Sequence, residues 1–185
     1  MTRWILLSPL MLLTASPHVH AQTPSAHVVQ VQGMMEQLRA VTRAPELIQA
    51  VRAQNARRLT PGAIQKMDVE WVTSTGIPAF MRPYLEGPCA DLLRKTQQQL
   101  PAIAEAFVMD NQGALVASTQ RTSDYWQGDE DKWQRSFASG AGNEFVDQPE
   151  FDESLQAYAV QISLPVMDGG KAIGAVTFGI SLDTL

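Results

Sequence analysis

A chain of 185 residues is long enough for one domain with a true hydrophobic core. Its 45% hydrophobic and 18% charged residues are the composition of a folded globular protein and exclude a disordered chain. A net charge of -5, with basic residues scattered apart from the Arg57-Arg58 pair, argues against nucleic acid or an anionic membrane surface as partner.

The first 21 residues read as a separate object. Arg3 supplies a short positive start, Trp4 to Ala15 is apolar, and Val19-His20-Ala21 places small residues ahead of Gln22. The pattern predicts a cleaved secretory signal over residues 1–21, a single domain over 22–185, and a periplasmic or secreted product. The competing reading is an uncleaved anchor, but the apolar run contains Pro9 and falls short of the ~20 residues that a spanning helix needs. No cysteine follows the run, which excludes a lipoprotein signal. His18 and His20 leave with the segment. Only His27 then remains, so His-based metal centres and Ser-His or Cys-His catalysis are not expected, and the sequence proposes no catalytic residue, metal or cofactor. Cys89, the single cysteine, either pairs between chains or is a small buried residue at the start of a helix.

From Ser25 the chain turns helical, with Val28, Val31, Met35, Leu38 and Val41 recurring at three- and four-residue spacing. Pro45 and Glu46 suit the first turn of a following helix carrying Leu47, Ile48 and Val51 to about Asn55. The two helices are either separate or one long kinked helix. Thr60-Pro61 predicts a cap and first position for a third, through Trp71. Residues 73–88, with Gly76, Pro78, Pro83, Gly87 and Pro88, read as a loop with room for a short turn. Leu92 to Leu100 is helical again.

The period then changes. Ile103 to Met109 and Ala114 to Thr119 are strands joined by the Asp110-Asn111-Gln112-Gly113 turn, where Gly113 supplies positive φ. Asp131 to Ser139 makes a helix, Glu144 to Val146 a short strand, and Leu155 to Pro165 a long one. Asp168-Gly169-Gly170 turns the chain into a last strand, Ala172 to Leu182. Helices first and strands second predict an α+β fold, with one antiparallel sheet covered by the N-terminal helices.

Alternation divides the strand faces. Val176, Phe178, Ile180 and Leu182 oppose Ala175, Thr177, Gly179 and Ser181, while Tyr158, Val160, Ile162 and Leu164 oppose Ala157, Ala159, Gln161 and Ser163. Ile103, Phe107 and Met109 against Ala104, Ala106 and Val108 repeat the contrast more weakly. A face of small residues leaves volume for a closely packed helix or for a ligand. Gln161 and Ser163 favour a ligand, because buried polar groups need partners.

The densest chemistry lies in Thr122 to Trp133. Tyr125, Trp126 and Trp133 offer rings for a small-ligand pocket or an ammonium group, or simply core. Asp124 and Asp129 offer carboxylates, and Asp129 also suits a helix cap. Glu130 and Asp131 read as helix-start charges. Arg121 offers a planar fork for a ligand carboxylate, or is a solvated loop residue. Asp147, Glu150, Asp152 and Glu153 form a second acidic group, suited to acid–base work or a hard cation, although no known cation-loop spacing is present.

Four stretches carry a family resemblance: Pro45 to Val51 with Asn55; Ala106 to Gly113; Thr122 to Trp133; and Val160 to Ile180 with its Asp168-Gly169-Gly170 turn and Ile173-Gly174-Ala175. In these the chain resembles the Cache, or PDC, sensor domains, which are PAS-like domains found outside the membrane in bacterial chemoreceptors and sensor kinases. The resemblance implies a five-stranded antiparallel sheet behind long N-terminal helices. It implies a ligand between that sheet and the segment joining the second and third strands, met by Tyr125, Trp126, Asp129 and Trp133 on the segment and by Gln161 and Ser163 on the sheet. The ligand class is a small amino acid, amine or carboxylate. One subfamily binds amino acids with a tyrosine, arginine, tryptophan and aspartate, a set that does not map residue by residue onto this chain. Members usually continue into a membrane helix, whereas this chain stops at Leu185. A stand-alone, non-enzymatic sensor acting on a membrane-bound signalling protein is therefore the expectation, with the N-terminal helix available for a homodimer. The competing readings are a ligand-free interaction module and an enzyme built on the carboxylates.

Overall fold

The computed structural model describes residues 26–152 and 156–185; the expected signal segment, 1–21, lies outside them. Five helices precede the sheet: α1 (Ala26–Thr42), α2 (Pro45–Ala56), α3 (Pro61–Thr73), α4 (Arg82–Leu85) and α5 (Pro88–Gln99). The first two are separate, because Ala44 is extended and Pro45 opens α2. Thr60 caps α3 by accepting from the Ala63 N–H at 3.2 Å. The stretch 73–88, expected as a loop with room for a short turn, contains the single turn α4. Among the described residues no helix is long and apolar enough to cross a membrane.

The sheet follows: β1 (Ile103–Met109), β2 (Leu115–Ser118), then α6 (Asp131–Phe137), β3 (Phe145–Val146), β4 (Glu150–Asp152), β5 (Ala157–Asp168) and β6 (Lys171–Ser181). All pairs are antiparallel, in the order β2-β1-β6-β5-β3, with β4 also on β5. The sheet is thus five strands wide, in an α+β fold, as the resemblance implied. β4 is a sixth strand, only three residues long and too short for side-chain alternation to announce. The β1–β2 turn is held by Asp110, whose Oδ1 accepts from the Gln112 and Ala114 N–H groups at 2.8 and 3.0 Å.

One face carries Val160, Ile162, Leu164, Val166, Val176, Phe178 and Ile180, with Ala106 and Val108, and packs against α1, α2 and α5 in the main core. Cys89 lies buried in this core at the start of α5, and burial pushes its thiol up to about 12, so it stays protonated.

The opposite face departs from expectation at β1. Phe107 stands opposite Thr177, which stands opposite Ser163; Met109 stands opposite Ala175, which stands opposite Pro165. Directly opposed residues share a face. The large side chains of β1 therefore fall on the small-residue face of β5 and β6, and a bulge between Ile103 and Glu105 returns Ile103 to the helix side. The small-residue face is filled over β1 and open mainly over β5.

Candidate functional site under the helical cap

A second core covers the β1–β2 end of this face. It joins Ile64 and Trp71 of α3 and Tyr84 and Leu85 of α4 to Phe107, Met109, Leu115 and Tyr125. The Trp71 indole N–H donates to the Thr122 carbonyl at 2.9 Å, and its ring lies 5.8 Å from Tyr84 and 5.9 Å from Tyr125.

Two sequence-predicted contacts are spent in this core. Tyr125 is fully buried, and its hydroxyl accepts from Gln54 Nε2 at 3.0 Å; burial raises its phenol above the usual range. It is a core residue and not a ligand surface. Arg121 does not offer its fork outward: its guanidinium donates to the carbonyls of Trp71 at 2.6 Å, Ser74 at 2.9 Å and Gly76 at 2.9 Å, closing the end of α3. The solvated-loop reading fails with it. Ser163 is likewise satisfied within the sheet, by the Thr177 hydroxyl at 2.8 Å. Trp133 is half-buried; it stacks on Phe137 at 5.0 Å and donates its indole N–H to the Asp110 carbonyl at 3.0 Å, pinning α6 to the β1–β2 turn.

The remaining candidates fall on two separate concavities. An inner groove of about 240 Å³ lies between α6 and β5. Glu130 and Lys132 line it from the segment joining β2 to β3, the cap (Thr122 to Phe137), Asp147, Gln148, Glu150 and Phe151 from the β3–β4 arm, and Ala159 and Gln161 from β5. Of the two expected sheet contacts, Gln161 and Ser163, Gln161 is the one that reaches open space. Asp152 ends β4 opposite Ala157, and its side chain lies outside the described residues. An outer cleft of about 500 Å³ holds Trp126 and Asp129 beside α3.

The inner groove is electrostatically unbalanced. Lys132, only 11% exposed, places Nζ 2.5 Å from Glu130 Oε2 and 5.4 Å from the centroid of Phe107. Against this one ammonium the groove sets the carboxylates of Glu130, Asp147 and Glu150. Asp124 lies behind them, with its Oδ1 accepting from the Gln127 amide. Burial, then the Glu130 charge, push its carboxyl up from 3.8 to about 6. Gln127 Oε1 and Ser136 Oγ are buried without a hydrogen-bond partner among the described residues. The cap is thus rich in acceptors and negative charge. Among the described residues, no three of His, Cys, Asp and Glu are disposed to hold a metal ion.

Asp124 makes a pH prediction. Its folded pKa lies above the unfolded value of 3.8, so folding favours the neutral form. Its contribution to stability is present below about 4 and is lost as pH rises through about 6. Asp124→Asn is therefore expected to raise Tm relative to the parent above that window, with the gap closing as pH falls toward the lower limit. Glu144 and Asp168, whose carboxyls are lowered by Arg39 and Arg52, titrate equally in both proteins and cancel. Melting curves across the range check this; a pH-independent gap contradicts it.

Lys132, Asp68 and Gln112 are not among the site residues expected from the sequence. Lys132 sits inside an acidic run, where a lysine reads as a solvated counter-charge; only the sheet beneath it shows that it is nearly buried.

No protein-family model matches the chain, and no curated protein matches it. Solved structures similar to it include sensor domains. The sensor domain of the histidine kinase DctB from V. cholerae is 14% identical, with a TM-score of 0.48, over 86% of this chain and 52% of that one. The sensory domain of the Campylobacter jejuni chemoreceptor Tlp3, with isoleucine bound, is 12% identical, with a TM-score of 0.40, over 86% and 64%. An extracellular ligand binding receptor from Desulfohalobium retbaense is 16% identical, with a TM-score of 0.40, over 75% and 25%. The chain spans about half to two thirds of the first two.

Proposed function

We propose that the chain is an extracytoplasmic, non-enzymatic Cache-type sensor domain that binds a small amine or amino acid in the inner groove and passes its occupancy to a membrane-bound signalling partner. The observation that carries this reading is Lys132, a nearly buried ammonium on α6 that lines, with three carboxylates, an open groove over β5. An ammonium has three donors, and Glu130 takes one, so Lys132 retains donor capacity for a ligand carboxylate. Asp147 and Glu150 favour a positively charged amine on the same ligand. A dicarboxylate fits this excess of negative charge poorly, which narrows the ligand class that the resemblance implied. A groove of about 240 Å³ suits a molecule of amino-acid size. Binding beneath α6 would favour a closed cap over an open one, a population that a partner can read.

Thermal-shift screening of the purified chain against amino acids and amines tests the proposal. A stabilising ligand is expected, with its shift abolished in Lys132→Met while the unliganded fold persists. No stabilising ligand, or one indifferent to Lys132→Met, counts against it.

A further inference from the structure

The outer cleft shares no lining residue with the inner groove. We propose that it is a second, independent binding site, for a small organic cation: a primary amine or guanidinium on a short alkyl stem. Three observations carry this.

The aromatic wall is built. Trp126 remains 36% exposed, yet its indole N–H donates to the Gln112 carbonyl at 2.8 Å and its backbone N–H to Asp68 Oδ1 at 2.9 Å. A Cβ on Gly128 would lie 2.4 Å from Trp126 Nε1 and 2.7 Å from the Gln112 carbonyl oxygen, so only glycine admits the ring in this position. An exposed indole held this firmly is a prepared surface, because no ordering remains to be done when a ligand arrives.

The charge is one-sided. Asp68 and Asp129 line the cleft, and no lysine or arginine does. Asp68 Oδ1 takes the Tyr125 and Trp126 N–H groups, both at 2.9 Å, and its carboxylate has no ion pair among the described residues. Asp129 is exposed and has no hydrogen bond or ion pair there. A cation at the indole face lies in the ring's negative potential with carboxylates beside it, an arrangement that a neutral or anionic ligand cannot use.

The floor is apolar. Ile64, 4% exposed, and Pro61 underlie a space of about 500 Å³, which accepts an alkyl stem.

The test uses the full chain, labelled with nitrogen-15, and agmatine as probe. The Trp126 indole N–H signal, identified by its loss in Trp126→Phe, is expected to shift saturably with agmatine and not with 1-butanol. Asp129→Asn should weaken the titration ~10-fold, and added salt should weaken it further. Lys132→Met should leave it unchanged, which separates this site from the inner groove. Absence of a saturable shift, an equal response to butanol, an unchanged affinity in Asp129→Asn, or loss of the shift in Lys132→Met would each overturn the proposal.

Discussion

Trp71→Ala is expected to cost about 4 kcal/mol of stability, a large share of what a domain of this size holds. Trp71 is fully buried and is the meeting point of the second core: Phe80, Tyr84 and Tyr125 all pack on its ring. Truncation leaves a cavity that α3, closed at its end by Arg121, cannot readily collapse into. It also strips the Thr122 carbonyl of its indole donor. Urea unfolding should show a lower midpoint with an unchanged slope, and melting should fall by roughly 10 °C. Trp71→Phe, which keeps most of the ring contacts, should lose about half as much. A loss below about 1 kcal/mol would mean that the aromatic cluster does not hold the cap.

The second core also shows where sequence reasoning reaches and where it stops. The α+β layout was legible because the hydrophobic period switches from helical to alternating near Ile103; the predicted strand Ile103 to Met109 coincides with β1. The N-terminus of α3 was legible because Thr60-Pro61 is a local chemical signal. The division of the Tyr125-Trp126 pair was not. The chain bends at Tyr125, and one ring of the pair turns inward while the other stays partly exposed. Local composition cannot say which; the contact between Asp68 and both backbone N–H groups decides it from 57 and 58 positions away. Arg121 fails for the same reason, since its carbonyl partners belong to a helix end 45 to 50 positions earlier. On β1, alternation identified the two faces, but register alone assigns Phe107 and Met109 to the small-residue side of β5 and β6. β4 spans only Glu150-Phe151-Asp152, too few residues for an alternating pattern to stand out, and it is recognised by its backbone pairing to β5.

Gly113→Ala is expected to be the costliest of the glycine substitutions in the β-turns, because this residue is where the hairpin meets the cap. Its φ of +81° already disfavours a side chain. A Cβ there would lie 2.3 Å from Gly128 Cα and 2.5 Å from Gly128 N. Both are backbone atoms, so no flexible side chain can swing aside. The Gln127 N–H donates to the Gly113 carbonyl at 2.8 Å, which ties the same two segments together. Relief therefore requires the cap to lift from the hairpin, at about 3 kcal/mol once the left-handed backbone is included. Gly169→Ala is the matched control: φ is +55°, but nothing lies within 4 Å of its Cβ position, so only the backbone term of about 1 kcal/mol applies. Gly113→Ala should also move the Trp126 indole N–H signal, because Gln112, whose carbonyl holds that ring, is the preceding residue; Gly169→Ala should not. Equal losses in the two variants would show that the cap does not rest on the hairpin. The inner groove and the outer cleft would then both lack a fixed wall.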